Sequence, residues 1–205
     1  MTALARPSGP EPLHRAADSA VIHRSLADPE RFAEIFDTYF DEIHRYAVSR
    51  VGLAAAEDVV SETFLAAFRK RARYDPERGA VRTWLYGIAT NLVGKHRRAE
   101  GQTLRALGRQ GVERPAEGHE DRVLGQVSAA QVRPELARAI GRLSDGERDV
   151  LLLMALAGLR HEEIAAALEI PYGTVGSRLY RARQKLREVL GGTDPMLDVK
   201  EDDRG

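Results

Sequence analysis

The chain has 205 residues, 43% of them hydrophobic, and its 31 basic and 31 acidic side chains give a formal net charge of zero. This length suits one medium domain or two small ones, and the lack of cysteine excludes disulfide bonds, thiol redox switching and thiolate metal sites. No apolar run approaches the roughly 20 residues of a membrane helix, and the N-terminal stretch lacks the apolar core of a secretory signal, so we expect a cytoplasmic protein without membrane insertion.

The N-terminal half predicts an unstructured arm followed by a helical domain. Three prolines and few apolar residues favour a disordered arm over residues 1–21. Beyond it, apolar side chains recur every three or four residues, as on the buried face of a helix. These periodic stretches run from Asp28 to Gly52, from about Ala55 to Lys70 and from about Val81 to Arg98. Asp-Pro and Gly mark Tyr74 to Ala80 as a loop, and the whole is expected to form one domain over residues 22–98.

The apolar periodicity fades after residue 98. Several glycines and Pro115 interrupt residues 99–126, which we interpret as a flexible linker too short for another domain. The acidic residues 191–205 are expected to be a disordered tail.

A second helical domain is expected over residues 127–190. Within it, Ser144 and Glu147 form an S-x-x-E capping box that opens a very apolar helix. No stretch alternates as a strand would, so we predict an all-α protein with two small helical domains.

The stretch His161 to Leu186, HEEIAAALEIPYGTVGSRLYRARQKL, has the rhythm of two short helices that meet at a tight corner. Pro171 cannot continue the first helix but suits the start of the second. Val175 and Leu179 begin a buried stripe on the second helix, and the stretch from Ser177 to Arg187 carries five basic residues and no acidic one. This is the geometry of a helix that enters the major groove of DNA, although such charge runs are often merely solvated.

The letters His161 and Glu162 also open the helix of many zinc hydrolases. That helix needs a second imidazole four residues after the first, so that both face one metal. Here that position is Ala165, and the other five histidines are scattered. We therefore expect no metal, no cofactor and no catalytic activity.

Two separate blocks of the sequence carry a resemblance to a known family. AEDVVSETFLAAFRK (Ala56 to Lys70) and TWLYGIATNLVGKHRR (Thr83 to Arg98) form the first block. LSDGERDVLLLMALAGLRHEEIAAALEI and IPYGTVGSRLYRARQKLRE form the second. The blocks resemble regions 2 and 4 of sigma factors, the promoter-specificity subunits of bacterial RNA polymerase. Because no room is left for a region 3 domain, the chain is similar to the small extracytoplasmic-function (ECF) type.

For the first block the resemblance implies two roles. Residues matched to docking on the polymerase clamp helices are Glu57, Asp58 and Glu62, where carboxylates would steer and orient basic partners. The loop Tyr74 to Val81 matches the one that captures a flipped-out base of the minus-ten element. Residues matched to minus-ten binding, as pocket, strand-opening or phosphate contacts, are Tyr74, Arg78, Arg82, Trp84, Tyr86, Asn91, Lys95, Arg97 and Arg98. Trp84 also lies on the apolar stripe, so core packing is an open alternative for it.

For the second block the resemblance implies binding of the minus-thirty-five element. The matched residues on the recognition helix are Ser177, Arg178, Tyr180, Arg181, Arg183, Gln184 and Lys185, with Arg178 and Arg183 on phosphates. The chain departs from the family at Gly176, where Lys or Arg is usual, and at Glu169 in the corner.

The implied function is promoter recognition and strand opening within an RNA polymerase holoenzyme. The implied partners are core polymerase at its clamp helices and flap, promoter DNA with its melted non-template strand, and an anti-sigma factor. A net charge of zero is compatible with this function, because within the holoenzyme the polymerase would supply most of the affinity for DNA. The alternative is a stand-alone helix-turn-helix regulator with a helical sensor or dimerisation domain, which would protect an operator without polymerase.

Overall fold

The computed structural model describes residues 12–109 and 134–190, and the regular structure within these ranges is entirely helical. The prediction of an all-α protein is therefore confirmed. The N-terminal unit contains α1 Pro12–Ser25, α2 Ala33–Val51, α3 Leu53–Lys70 and α4 Val81–Arg109, with 3₁₀ helices at Pro29–Phe32 and Arg71–Arg73. The C-terminal unit contains α5 Pro134–Gly141, α6 Asp145–Ala155, α7 His161–Leu168 and α8 Tyr172–Val189. None of the described helices is long and apolar enough to cross a membrane.

The N-terminal unit is a bundle in which α2, α3 and α4 share one apolar core. Ile43, Val60 and Leu85 each bury a full aliphatic side chain there, and burial of such a side chain stabilises the fold by about 1.5–3 kcal/mol. Between α2 and α3 the chain turns at Gly52, whose φ of 77° lies in the left-handed region that glycine adopts without steric cost. The helix end predicted at Gly52 is confirmed.

The prediction of a disordered arm over residues 1–21 is wrong for residues 12–21. Residues 12–21 belong to a helix and not to a disordered segment, because the helix buries Val21 and Ile22 at its C-terminal end against the bundle. Tyr39 of α2 also donates a hydrogen bond to Asp18 of α1. Burial and this hydrogen bond raise the pKa of Tyr39 well above its ordinary value.

The prediction that the linker starts at residue 99 is wrong, because residues 99–109 belong to α4. This helix continues without a break to Arg109 instead of ending at Arg98, since the segment contains no proline and its glycines cost helix propensity without forbidding the helix. The remainder of the predicted linker, residues 110–126, lies outside the described residues. So does the predicted tail, residues 191–205, and the C-terminal unit is described from Pro134 onward.

The C-terminal unit is organised by two local signals that the sequence predicted. The Ser144 side chain accepts a hydrogen bond from the Glu147 N–H, and the Glu147 carboxylate accepts one from the Ser144 N–H, so the capping box at the start of α6 is confirmed. Gly158 ends the helical segment in the left-handed region, at φ 62°. Val175 and Leu179 of α8 are fully buried against the preceding helices.

The corner between α7 and α8 is formed by Glu169 and Pro171. Glu169 lies in the left-handed region at φ 52° and ψ 43°, which for a residue with a Cβ atom costs roughly 1–2 kcal/mol. The Ile170 N–H donates to the Ala165 carbonyl and so satisfies a carbonyl at the end of α7. Pro171 is the cap before α8, as its missing N–H allows.

The two units pack against each other, chiefly through α4 and α7. The sequence predicted two domains separated by a linker but no contact between them. This packing places the C-terminal unit directly over the surface of α4 that was expected to bind DNA.

Candidate nucleic-acid interface

Helix α8 presents an exposed face on the side away from the core. Tyr172 and Tyr180 are 58% and 69% exposed, and Gly176 and Ser177 are exposed between them. The buried stripe through Val175 and Leu179 fixes this orientation, because the two faces lie on opposite sides of one helix. The face is therefore open to a large partner.

Three basic side chains of α8 lie along the N-terminal end of α6. Lys185 Nζ is 2.7 Å and Arg181 Nε is 3.5 Å from the carboxylate of Glu147. Arg178 covers Gly146 so closely that a Cβ atom there would lie 2.9 Å from its guanidinium carbon. A residue at position 146 larger than glycine would therefore displace Arg178.

Glu147 caps α6 and also forms ion pairs with two basic side chains of α8. The sequence analysis predicted the cap but not the ion pairs. Burial raises the pKa of the Glu147 carboxyl, but hydrogen bonds from Lys185 and Ser144 lower it more, so the net shift is downward. The capping box placed Glu147 in the first turn of α6, but only the fold brings α8 beside it. The carboxylate holds Arg181 and Lys185 on one edge of α8.

Two other predicted residues of α8 lie apart from this edge. Gln184 is exposed, and Arg183 is half-buried on the flank opposite Arg181, where its Nε makes no hydrogen bond within the described residues. The structure therefore divides the seven predicted residues between the open face, the edge along α6 and this flank.

A cleft of about 300 Å³ lies at the predicted minus-ten loop and contains Tyr74, Arg78, Trp84 and Asn91 in its walls. The rings of Tyr74 and Trp84 are 5.2 Å apart, and Trp84 is only half-buried. The Tyr74 hydroxyl donates to the Gly79 carbonyl at 3.0 Å and lies 3.1 Å from the Ser19 hydroxyl of α1. Four predicted residues thus meet in one cavity, with an aromatic wall and polar groups.

Tyr86 was predicted to contact minus-ten DNA, but the structure places its side chain in the core. Its side chain is 2% exposed and packs edge-on against the Tyr46 ring, so it has no surface to offer to DNA. Burial and the neighbouring Glu42 carboxylate raise the pKa of Tyr86 above its ordinary value. Tyr86 is one helical turn from Arg82 on the same buried side of α4, and its aromatic ring is part of the core.

The four predicted phosphate contacts differ in accessibility. Lys95 and Arg98 are exposed. Arg82 is buried, with its guanidinium 3.0 Å from the Glu42 carboxylate and 2.7 Å from the Ala157 carbonyl. Arg97 lies 3.5 Å from the Asp145 carboxylate, and burial together with the nearby Arg50 lowers its pKa. Two of the four are therefore engaged by the C-terminal unit.

The predicted polymerase contacts lie on the outer face of α3. Glu57, Asp58 and Glu62 are all exposed, and Asp58 and Glu62 are one helical turn apart on the same side. Leu65, which is 46% exposed, shares that side. The sequence analysis did not single out Leu65, although its helical phase, opposite the buried Val60, could have shown it.

The described part of the chain contains no group of three or more His, Cys, Asp or Glu side chains that could hold a metal ion. His161, considered above as a zinc ligand, instead lies beside the ring of Tyr172, with 6.1 Å between ring centroids.

Comparison with known proteins assigns both units. A family model described as Sigma-70 region 2 matches residues 35–103, and one described as Sigma-70, region 4 matches residues 133–186. The chain is 32% identical to the ECF RNA polymerase sigma factor SigW of Bacillus subtilis over 80% of its own length and 90% of SigW. It is 29% identical to the ECF sigma factor RpoE of Cereibacter sphaeroides, over 82% of this chain and 90% of RpoE. Among solved structures, CnrH in complex with the cytosolic domain of CnrY superposes with a TM-score of 0.59, at 27% identity, over 85% of this chain and 97% of CnrH.

Proposed function

Because the chain belongs to the ECF sigma factors, the promoter-specificity subunits of bacterial RNA polymerase, we propose that its two units divide promoter recognition between the face of α8 and the cleft at Tyr74. The chain binds core polymerase and promoter DNA, as sigma regions 2 and 4 do. The observation that carries the division of roles is the cleft itself, since it combines an aromatic wall with polar side chains around a volume of about 300 Å³.

We assign the minus-thirty-five element to α8. Ser177, Tyr180 and Arg181 would meet base edges in the major groove, where Arg can donate two hydrogen bonds to guanine. Arg178 and Lys185, held along the edge of α6, would meet phosphates and set the position of the helix. The absence of a side chain at Gly176 removes one contact and leaves room for the DNA backbone to approach α8 closely.

We assign the minus-ten element to the cleft between the loop and α4. A base flipped out of the stack needs an aromatic surface and hydrogen-bonding groups, which Trp84, Tyr74, Asn91 and Arg78 would supply. Lys95 and Arg98 would hold the phosphates of the melted non-template strand. Arg82 and Arg97 would join them only after their contacts with the C-terminal unit are released.

We assign core polymerase binding to the outer face of α3. Asp58 and Glu62 would pair with basic side chains of the clamp helices, and Leu65, one helical turn beyond Glu62, would supply the apolar contact. The C-terminal unit would contact the flap. The protein would work in the cytoplasm, as a polymerase subunit must, and would contribute binding and strand opening with no catalysis of its own.

An anti-sigma factor is a further proposed partner. CnrH, which is similar to this chain over most of its length, was solved with the cytosolic domain of CnrY. By analogy we propose that a protein partner of this kind holds the present chain until a signal releases it.

Run-off transcription with purified core polymerase over a library of genomic fragments tests the function. We expect transcripts that start downstream of one shared pair of motifs, and no transcript from core enzyme alone. A footprint on one operator by the free protein, with no stimulation of polymerase, would favour the stand-alone regulator and overturn the proposal. The same experiment yields the promoter motif.

A further inference from the structure

The start of α6, from Ser144 to Glu147, lies against one edge of α8. Three basic side chains, Arg178, Arg181 and Lys185, follow that edge at spacings of three and four residues, which put them on the same side of the helix. Each of the three contacts the start of α6 by a different interaction. The start of α6 therefore touches every basic side chain of this edge.

The orientation of the Glu147 carboxylate is set within α6 itself. Its Oε2 atom accepts a hydrogen bond from the Ser144 N–H at 2.9 Å, and the Ser144 hydroxyl accepts one from the Glu147 N–H. Both ends of the residue are thus held by the capping box. The Glu147 side chain is only 6% exposed, and close packing leaves it little room for another rotamer. The carboxylate is therefore an acceptor fixed in position beside α8.

The two oxygens of this carboxylate face different cations. Oε2 accepts a hydrogen bond from Lys185 Nζ at 2.7 Å, and Oε1 lies 3.5 Å from Arg181 Nε. Because the carboxylate engages Nε, the two terminal nitrogens of the Arg181 guanidinium remain for DNA, and they can donate two hydrogen bonds to one guanine. The Arg181 side chain is 57% exposed. Arg181 is therefore held at one nitrogen and open at the other two.

Holding a flexible side chain in the geometry that it needs on DNA reduces the entropy lost on binding. Immobilising one such side chain otherwise weakens binding about two- to tenfold. A mismatched base pair offers no matching pair of acceptors, so the benefit is confined to the cognate sequence. The orientation of Arg181 consequently affects discrimination between promoters as well as affinity.

Gly146 accommodates the third cation, Arg178. A Cβ atom at position 146 would lie 2.9 Å from the guanidinium carbon of Arg178 and 3.0 Å from its Nη1 atom. The guanidinium therefore occupies space that the side chain of any other residue at this position would fill. Glycine lowers helix propensity in the first turn of α6, and what it permits there is this contact.

We propose that the start of α6 positions the basic edge of α8 for the minus-thirty-five element, and that Glu147 determines promoter specificity through Arg181 without touching DNA. Ser144 orients Glu147, and Glu147 in turn orients Arg181 and Lys185. Gly146 leaves room for the Arg178 guanidinium. Glu147 is thus a positioning residue. The inference rests on the proposed function, because it assumes that Arg181 reads a base pair.

Glu147→Gln in the holoenzyme separates positioning from stability. Glutamine can keep the hydrogen bond to the Ser144 N–H but lacks the charge that holds the two cations. In competitive run-off transcription we expect the preference for the cognate minus-thirty-five sequence, over one altered at the contacted base pair, to fall about two- to tenfold. Output from the altered promoter should not fall, because removing a negative charge favours binding to any DNA. A merely structural defect would lower output from both promoters.

Glu163→Gln is the matched control. The Glu163 carboxylate accepts a hydrogen bond from the Arg160 N–H at 2.8 Å at the start of α7, and its ion pair is with the same residue. The control therefore removes an equal charge from an equivalent cap and should leave the promoter preference at the wild-type value. A double-mutant cycle adds a second readout. In the Arg181→Ala background, Glu147→Gln should change the preference by less than about twofold, since the side chain that it positions is gone.

Gly146→Ala tests the contact with Arg178. Its methyl group would displace the Arg178 guanidinium. Because phosphate contacts carry no sequence information, output should fall by the same factor at both promoters, with the preference unchanged. Gly101→Ala on α4 gains similar helix propensity, and its methyl group would meet no atom of the described residues within 4 Å. This control should transcribe as wild type does.

The outcomes distinguish the inference from the proposed function. An unchanged preference in Glu147→Gln, while Arg181→Ala loses it, would overturn the positioning role. Equal loss at both promoters, or the same effect of Glu147→Gln with and without Arg181, would overturn it as well. Unchanged output from Gly146→Ala would remove Arg178 from the arrangement. Wild-type protein that fails to direct transcription would contradict the proposed function instead.

Discussion

Arginine side chains of this protein occur in three different environments: exposed on a helix, buried in an ion pair, and buried against helix-terminal carbonyls. Arg181 is exposed at the surface of α8, and Arg50 is buried in an ion pair between the units. Arg148 donates to the carbonyls of Ile140 and Leu143 and so closes the C-terminal end of α5. Burial, and then the charges of neighbouring arginines, lower the pKa of Arg148 to about 10. The same residue type thus serves contact between units and helix capping, and on α8 it has the DNA-binding role that we propose.

Glu147 links stability to pH. Its folded-state pKa lies below the ordinary value of 4.5, so its ionised form stabilises the fold above that pH, and this contribution is lost as the pH falls through the folded-state pKa. We expect Glu147→Gln to lower the free energy of unfolding by about 1–2 kcal/mol at neutral pH. The difference from wild type should shrink below about pH 4. Thermal unfolding of both proteins across this range measures it, and Glu162→Gln, an exposed change on α7, is the control. A difference that does not vary with pH would contradict the assignment.

Arg181 carries the base-reading prediction. We expect Arg181→Ala to remove about 1–3 kcal/mol of discrimination between the cognate minus-thirty-five sequence and one altered at the contacted base pair. Competitive run-off transcription from the two promoters measures the ratio. Arg138→Ala, which removes the same charge from an exposed position on α5, should leave the ratio unchanged. An unaltered promoter preference in Arg181→Ala would move base reading to another residue of α8.

At the scale of elements, α1 and α3 have different relations to the candidate surfaces: α1 contacts the edge of the cleft, and α3 carries the acidic surface itself. Helix α1 lies outside the matched region 2 segment, yet Ser19 contacts the Tyr74 hydroxyl at the edge of the cleft. Helix α3 buries one side and keeps its acidic side free, with Leu65 exposed among the carboxylates. The surfaces that we propose for DNA and for polymerase therefore lie on different helices of the bundle.

The acidic side of α3 gives a prediction at this scale. We expect Asp58→Arg combined with Glu62→Arg to abolish binding to core polymerase, because the reversed charges would face basic partner residues. Helical content should be unchanged, since both positions are exposed. Co-elution with core enzyme and circular dichroism measure the two effects. Glu135→Arg with Glu162→Arg makes the same change of charge on the C-terminal unit, and equal loss of binding by this control would reduce the effect to net charge alone.

At the scale of the whole molecule, the net charge is zero, but basic and acidic side chains are distributed unevenly between the surfaces of the two units that face each other. Three arginines of the N-terminal unit pair with carboxylates of the C-terminal unit, so part of the charge that we propose for DNA binding is neutralised within the chain. A free protein in this form should bind nucleic acid weakly and without much non-specific background.

Neutralising the pairing carboxylates should therefore increase binding of single-stranded DNA by the free protein. We expect Asp145→Asn, Asp149→Asn and Glu169→Gln together to tighten binding of a minus-ten non-template oligonucleotide about tenfold, because the arginines that these carboxylates pair with become available to phosphates. Fluorescence anisotropy without polymerase measures this. The control carries Glu135→Gln, Glu162→Gln and Glu188→Gln, which remove the same charge from exposed positions. Equal gains in both variants would attribute the effect to overall charge.

The amino-acid sequence by itself determined most features that rest on local interactions, although the continuation of α4 to Arg109 was not predicted. The apolar periodicity of α2, α3 and α8, the capping box at Ser144, the turn at Gly52 and the corner at Pro171 each depend on residues a few positions apart. Such signals sufficed for the all-α class and for the two units that match sigma factor regions. Helix α1 escaped prediction because Pro7, Pro10 and Pro12 suggested disorder, while the helix buries Val21 and Ile22 against the bundle.

The tertiary structure alone decided what the site residues touch. Arg50 and Asp149 are 99 positions apart along the chain, and nothing in either local sequence indicates that they pair. The burial of Tyr86 and the close approach of Gly87 to Ala167 depend in the same way on how separate helices pack. The physical reason is that helix formation is governed by neighbours within a turn or two, whereas the position of one helix on another is set by the complementary shapes and charges of whole surfaces.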